Sequence, residues 1–374
     1  MNISALGGNA TITADHTAMT GDIDLMSLAA PAKVDTALWS MSSASERADL
    51  LAQVPNPQPR PTPGARETGL PLGSLTTGQA DGFWIGEDRG GIRRAYDPAV
   101  SSLGSVPAIR PDAGFQRSGG SVIFVNGLQN NQAQAANAGQ LIANKTGGDV
   151  RVFFNASQGA NDIPRAIGDN LNWLGVSRTP ATNQLASTIA TMAANGQSLH
   201  LMSTSHGSIL TRNALYVAQE QLMTRYGYQE IKLPGLAAAV DPAGYQRQVQ
   251  INSAAEAQTF RALQNIKIET FGSGTAKWDI DGPKYLHWVN TNDPVVKAAG
   301  IDFQGAAARL DSVAAGRDAV IVRFTSGRDG ATESHFMETY LPRRIDTGSF
   351  DQVYNRGSTG NGGLNIIDLP GTRH

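Results

Sequence analysis

One pattern recurs between residues 119 and 345: a short apolar run ends in small polar residues and is followed by a helical segment. The apolar runs are 121–125, 150–154, 198–203, 266–271, 285–289 and 319–324. Short apolar runs that alternate with helical segments such as 131–145, 182–194 and 208–226 are typical of parallel strands buried on both faces. The pattern therefore predicts an α/β fold with a doubly wound, mostly parallel sheet.

The composition excludes several classes of protein. The 374 residues include 30 Lys and Arg against 32 Asp and Glu, so there is no excess of positive charge for nucleic-acid phosphates, and we expect no nucleic-acid partner. The chain has no cysteine, which excludes disulfide bonds, thiolate zinc sites and a cysteine nucleophile. It also lacks an apolar stretch of about 18 residues, so we predict no transmembrane segment.

The two ends of the chain differ in composition from its middle. Residues 1–78 are rich in Ser, Thr, Ala and Gly, and alternating prolines occupy 54–64, which predicts a disordered N-terminal arm that ends in a polyproline-like linker. Residues 79–345 form the predicted α/β domain, and the Gly- and Asn-rich residues 346–374 form a predicted C-terminal tail.

The N-terminal arm also bears on localisation. Residues 1–24 lack a basic start and a long apolar run, so we expect no Sec signal peptide. An arm of this kind suits a bacterial effector exported by a specialised system, with a secretion chaperone bound to the arm. It also suits a cytoplasmic protein, and the sequence leaves both interpretations open.

A candidate nucleophile follows the third apolar run. This run ends in Ser203-Thr-Ser205-His-Gly207, and a helical pattern begins at once. A serine between a strand and a helix, with small residues two positions before and after it, is typical of a strained turn that exposes the hydroxyl above the sheet. Gly207 fits this pattern, and Ser203 is small although glycine is more usual there. Serine is also a favoured helix N-cap, so this segment alone is equally consistent with an ordinary cap at Ser205.

A candidate oxyanion loop follows the first apolar run, where Asn126 and Gly127 precede Leu128. Serine hydrolases bind the oxyanion of acyl transfer with two backbone amides, one from the residue after the nucleophile and one from a loop at this place. Here those amides would belong to His206 and Leu128, and Gly127 would let the loop approach the substrate closely. Taken alone, Asn-Gly also marks a plain turn.

An acid and a base follow the last two runs. Asp293 comes just after the fifth run and His335 comes after the sixth. A carboxylate beyond a strand can orient a histidine, and histidine transfers protons near neutral pH. Taken alone, Asp293 before Pro294 also suits a turn, and a single histidine is more often structural or exposed. The chain order Ser, Asp, His after successive strands favours a catalytic triad of Ser205, Asp293 and His335.

Other acidic and imidazole groups fit this role less well. Asp279 and Asp281 precede the fifth run, whereas a triad acid should follow a strand. His200 and His287 lie inside the third and fifth runs, where we expect them to pack. The chain has no histidine pair at helical spacing and no Asp-rich calcium loop, so we expect no metal site and no cofactor.

These segments resemble the α/β-hydrolase fold and, within it, the class 3 lipases and related bacterial lipase-like proteins. The resemblance spans residues 82–345 and is carried by five segments: 124–127, 201–207, 269–273, 288–295 and 335–340. It implies that Ser205 is the nucleophile, Asp293 the acid and His335 the base.

The combined reading predicts a serine hydrolase that cleaves carboxylic esters, with a small-molecule or lipid ester as substrate. The insertion 227–262 contains the apolar segment 233–240, which predicts either a lid with peripheral lipid contact or a packed pair of helices. An alternative is a non-catalytic α/β-hydrolase-like scaffold for binding or secretion. The sequence does not distinguish lipase, phospholipase and thioesterase activity.

Overall fold

The computed structural model describes residues 69–370 except positions 100, 119, 129, 157–177, 233, 276, 299–314 and 328–331. The predicted disordered arm, 1–78, therefore lies outside the described residues as far as position 68.

The described residues contain ten strands in a single sheet. The strands are β1 Leu70–Pro71, β2 Trp84–Glu87, β3 Arg93–Tyr96, β4 Ser121–Val125, β5 Asp149–Phe153, β6 Leu199–Ser205, β7 Ile266–Ser273, β8 Lys284–Asn290, β9 Val320–Phe324 and β10 Asn365–Asp368. Their order across the sheet is β1-β3-β2-β5-β4-β6-β7-β8-β9-β10.

The sheet is parallel from β5 to β10 and antiparallel at the edge formed by β1, β3 and β2. The chain passes from β4 to β5 on one side and then returns to place β6 on the other side of β4. The carboxyl ends of β4 and β6 therefore flank a topological switch point, which is where open α/β sheets bind ligands.

Eight α-helices accompany the sheet in the described part of the chain. They are α1 Gln132–Thr146, α2 Pro180–Ala194, α3 His206–Arg225, α4 Pro234–Val240, α5 Pro242–Leu263, α6 Pro294–Ala298, α7 Met337–Thr347 and α8 Phe350–Gly357. Local sequence sets several of their ends. Asn131 caps α1 in a reciprocal capping box with Gln134, and Gly147 ends that helix with a φ of 72°.

The helices bury both faces of the sheet. Successive residues of β4 alternate between two hydrophobic cores, with Ile123 and Val125 in one and Val122 and Phe124 in the other. The first core contains residues of α2 and α3, and the second contains residues of α1, α7 and α8. This arrangement confirms the predicted α/β class with a doubly wound, mostly parallel sheet.

Strand and helix elements also lie in the segments expected as arm and tail. Leu70–Pro71, expected as part of the arm, pairs with β3 and belongs to the sheet. The expected tail contains α8, which places Phe350 and Val353 in a core, and β10, which pairs in parallel with β9. Gly and Asn surround β10, and the short run Ile366-Ile367 is enough to continue the ladder.

The insertion 227–262 contains α4 and most of α5. One side of α5 is buried through Asn252, Ala255, Thr259 and Leu263, and this helix packs against α3 and α2. This matches a packed peripheral helix, while a lid role for the insertion stays a prediction. Among the described helices, none combines the length and the apolar character that crossing a membrane would require.

Candidate active site

Ser205 ends β6 and has a backbone conformation that serine rarely adopts. Its φ is 53° and its ψ is −130°, and in the described part of the chain Asp318 alone shares a positive φ among residues other than glycine. The Ser205 side chain makes no capping hydrogen bond to α3. An ordinary N-cap residue has extended, unstrained backbone angles, and its side chain accepts a hydrogen bond from the helix. Ser205 has neither feature.

Two glycines make room for this turn. A Cβ atom on Gly207 would lie 2.5 Å from the carbonyl oxygen of Val125 and 2.6 Å from that of Asn126, which no side chain tolerates. A Cβ atom on Gly127 would lie 2.8 Å from the Ser205 Cβ. The loop after β4 and the turn after β6 therefore meet through bare backbone, as the sequence pattern predicts for these positions.

Ser203, two positions before Ser205, is fully buried within β6. Its hydroxyl donates a hydrogen bond of 3.2 Å to the Ser208 hydroxyl on the first turn of α3. The turn thus accommodates serine where glycine is more usual, because the extra hydroxyl has a partner inside the turn.

Asp293 follows β8 and is completely buried. Its Oδ2 accepts hydrogen bonds from His335 Nδ1 at 2.7 Å and from the Tyr340 hydroxyl at 2.5 Å. Its Oδ1 accepts from the backbone amides of Val295 at 2.8 Å and Val296 at 3.3 Å, at the start of α6. One carboxylate therefore caps the start of α6 and holds the imidazole of His335, while its role as a triad acid stays a prediction.

His335 lies at the end of a short 3₁₀ turn after β9, and its side chain is 15% exposed. Its Nε2 is buried and has no hydrogen-bond partner within the described ranges. Ser205 pairs with Ser273 across β6 and β7, and a Cβ atom on the preceding Gly272 would lie 3.0 Å from His335 Nδ1. The Asp293–His335 pair thus lies beside Gly272, and the residue after Gly272 is the β7 partner of Ser205.

No hydrogen bond joins Ser205 to His335 among the described contacts. The Ser205 hydroxyl instead faces the loop that follows β4, where a Cβ atom added to Gly127 would lie 3.5 Å from it. Hydrogen bonds of catalytic residues are often long or misaligned in free enzymes and shorten when substrate binds. The structure brings Asp293 and His335 into contact and places Ser205 at the end of β6, which β7 separates from β8.

The backbone around Ser205 offers donors for an anion. His206 is the first residue of α3, a helix of 20 residues, so its amide lies in the first turn, where backbone N–H groups have no acceptor within the helix itself. Leu128 is partly exposed in the loop after β4, beside Gly127. The Asn130 side chain donates to the carbonyl oxygens of Gly127 and Leu128, both at 3.3 Å, which ties the loop back on itself.

The structure adds two polar residues that the sequence reasoning missed. Tyr340, on α7, is buried and donates to Asp293, and Asn155, just after β5, is buried against Asn126 and His206. The proximity to Asp293 and burial raise the pKa of Tyr340 well above its usual value. Asn155 follows its strand as Asn126 follows β4, and this shared position was a signal that the sequence offered.

A second buried carboxylate, Glu269, lies inside β7. Its Oε2 accepts from His200 Nε2 at 2.9 Å, and its Oε1 accepts from Trp288 Nε1 at 2.9 Å and Arg344 Nε at 3.1 Å. Burial by itself would raise the pKa of Glu269, but Arg344 and His200 together lower it to about 2. This cluster is satisfied within the protein and lies away from Ser205, so His200 packs as expected.

The remaining alternative residues also have structural partners. His287 is buried between Thr270 Oγ1 at 2.8 Å and the Ala315 carbonyl at 2.9 Å, and burial lowers its pKa to about 4. Asp279 forms an ion pair with Lys277 at 3.3 Å. Neither group contacts His335, whose carboxylate partner is Asp293.

The chain was compared with known proteins. No protein-family model matches it, and no curated protein matches its sequence. Among solved structures, the crystal structure of esterase PE8 aligns with a TM-score of 0.23 and 12% sequence identity, covering 71% of this chain and 90% of that chain. The mostly parallel sheet with helices on both faces is an α/β architecture, and this description rests on the topology alone.

Proposed function

We propose that this protein is a serine hydrolase that cleaves carboxylic esters through a covalent acyl-enzyme. Ser205 would be the nucleophile, His335 the general base and then the general acid, and Asp293 the carboxylate that orients His335. The backbone amides of His206 and Leu128 would bind the oxyanion.

The proposal depends most on one combination of features. Ser205 has a strained positive φ without a capping bond, and two strands away, after β8, a buried aspartate holds a histidine by Nδ1 while Nε2 has no partner in the described part of the chain. A residue keeps such a conformation only when the surrounding structure requires it, and such residues cluster at active sites. A histidine held by one nitrogen with the other available suits proton transfer.

The reaction follows from these positions. The Ser205 hydroxyl turns from Gly127 toward His335, gives its proton to Nε2, and its oxygen bonds to the ester carbonyl carbon. The carbonyl oxygen becomes an oxyanion held by the two amides. The ester C–O bond then breaks, and the leaving alcohol takes the proton from Nε2. Water attacks the acyl-enzyme by the same route, releasing the carboxylic acid and restoring Ser205.

Lipid or other acyl esters are the proposed substrates. This choice comes from the resemblance to lipase-like proteins, and the side chain of Phe336, directly after His335, supports it because it is 51% exposed. An exposed aromatic group beside the proposed base suits an apolar acyl or alcohol group. Rates on p-nitrophenyl esters of increasing acyl length, on phospholipids and on acyl thioesters would separate the three activities that the sequence leaves open.

A fluorophosphonate probe tests the proposal directly. Wild type should be labelled at Ser205 and should hydrolyse p-nitrophenyl butyrate, whereas Ser205→Ala should lose the label and about 10³-fold or more of its turnover. Ser349→Ala, which removes a helix cap far along the chain, is the matched control and should keep both. Equal labelling of Ser205→Ala and wild type would refute the assignment, and absence of both activities in wild type would favour the non-catalytic scaffold.

A further inference from the structure

Asn155 forms a reciprocal pair with Asn126, the residue that opens the loop after β4. The Asn155 amide N–H donates to Asn126 Oδ1 at 2.9 Å, and Asn126 Nδ2 donates to the Asn155 carbonyl at 2.8 Å. The same Asn126 nitrogen donates to the Gly127 carbonyl at 2.9 Å. Both asparagines are fully buried, so these bonds are shielded from water and fix the loop against the end of β5.

The Asn155 side chain also reaches the other side of the site. Its Nδ2 lies 3.2 Å from the Asn126 carbonyl oxygen and 3.0 Å from His206 Nδ1. A carbonyl oxygen can only accept, so the nitrogen rather than the oxygen of the Asn155 amide must face Asn126. His206 Nδ1 then accepts the second hydrogen of that amide, and the neutral His206 ring carries its proton on Nε2.

The arrangement leaves a buried acceptor without a partner. Asn155 Oδ1 has no hydrogen-bond partner in the described part of the chain. An unsatisfied buried acceptor destabilises the folded state, and most native proteins avoid it. The two contacts of Asn155 Nδ2 therefore hold the side chain in place although its Oδ1 is unsatisfied.

We propose that Asn155 is a positioning residue that fixes the two halves of the oxyanion hole relative to each other. This inference rests on the proposed function, in which one oxyanion amide belongs to His206 and the other to the loop that starts at Asn126. Asn155 is bonded to both of these residues. Oxyanion donors stabilise a transition state because they are already in place before charge develops, so a group that holds both donors acts on turnover more than on substrate binding.

The test compares Asn155→Ala with Ser349→Ala, which removes the side-chain N-cap of α8. Asn155→Ala should lower kcat by about 10²-fold with KM within about threefold, since displaced oxyanion donors affect mainly the transition state. Affinity for a boronic acid that forms a tetrahedral adduct should fall by a similar factor. If Asn155→Ala fails to fold, Asn155→Ser replaces it.

Two outcomes would overturn the inference. One is a kcat for the Asn155 variant equal to that of Ser349→Ala in an active enzyme, which contradicts the role of Asn155 and leaves the proposed function intact. The other is a ¹⁵N NMR spectrum of wild type in which neutral His206 carries its proton on Nδ1, because such a ring cannot accept from Asn155. A wild type that neither hydrolyses esters nor reacts with the fluorophosphonate would contradict the proposed function itself.

Discussion

Two buried carboxylates in this protein each bind a histidine, yet their surroundings differ. Glu269 inside β7 contacts His200, Arg344 and Trp288, while Asp293 after β8 contacts His335 and Tyr340. Glu269 has a permanent cation beside it, whereas the side-chain donors to Asp293 are an imidazole and a phenol.

The two histidines also differ in which nitrogen they commit. His200 uses Nε2 on Glu269, and its ring packs against Phe350 at a centroid distance of 5.1 Å. His335 uses Nδ1 on Asp293, and its Nε2 has no partner in the described ranges. A buried carboxylate–histidine pair is thus not in itself a sign of catalysis. The difference lies in whether the far nitrogen remains available next to a nucleophile.

The largest effect should come from exchanging the histidines for alanine. His335→Ala removes the proposed base and should lower kcat/KM on p-nitrophenyl butyrate by about 10³-fold or more. His200→Ala removes one hydrogen-bond donor to Glu269 and should change kcat/KM by less than about threefold, although it should lower the thermal midpoint. Steady-state assays of both purified variants make the comparison, and equal losses would show that the two pairs are not functionally distinct.

An intermediate effect concerns stability at low pH. The folded-state pKa of Glu269 is about 2, below its ordinary 4.5, so its contribution is fully present above pH 4.5 and is lost as pH falls toward 2. That contribution is about 3 kcal/mol. Glu269→Gln should lower the free energy of unfolding at pH 7 by about 3–5 kcal/mol, because Arg344 stays buried without its carboxylate.

Urea unfolding of wild type and Glu269→Gln between pH 7 and pH 2.5 measures this effect. The difference in the free energy of unfolding between the two proteins should shrink below pH 4.5. Protonation then removes the Glu269 charge from wild type, and the substitution removes that charge at every pH. His287, whose pKa is lowered to about 4, reduces the stability of both proteins alike between pH 6.5 and pH 4, so it cancels in the difference. A difference that is independent of pH would contradict the assigned role of Glu269.

The smallest effect concerns the second donor to Asp293. Tyr340→Phe removes the hydroxyl from Oδ2 and leaves more negative charge facing His335. We expect kcat/KM to fall by about two- to tenfold and the acidic limb of its pH profile to move to higher pH.

Tyr285→Phe is the matched control for this substitution. Tyr285 is also fully buried, but its hydroxyl donates to the Ile280 carbonyl at 2.8 Å, away from Asp293. Its loss should cost about 1 kcal/mol of stability and leave the pH profile in place. An unshifted profile for Tyr340→Phe would mean that Tyr340 only fills space beside Asp293.

Much of the fold and part of the candidate site follow from local patterns. The central strands could be predicted because each is a compact apolar run followed by a break, and Ser205, Asp293 and His335 each follow such a run. Parallel strands bring those breaks to one edge of the sheet, so chain position alone places the three residues near one another. Gly207 was recognisable because its neighbours in sequence already define a strand-to-helix turn.

The contacts of Asn155 and Tyr340 could not be predicted in this way. Tyr340 is 47 residues from Asp293, and Asn155 is 51 residues from His206, so each bond depends on packing that no local pattern encodes. The strand β10 was missed for a related reason. Its four residues, Asn365–Asp368, are too few to show a period, and pairing with β9 rather than propensity makes them a strand.

The twisted backbone at Ser205 has a consequence for the evolution of this chain. A positive φ at a residue with a side chain carries a penalty of about 1–3 kcal/mol, which glycine would avoid. Selection for stability alone should therefore favour glycine at this position, and glycine has no hydroxyl. A serine at this position keeps the molecule below its thermodynamic optimum, and the proposed reactivity of its hydroxyl would explain why.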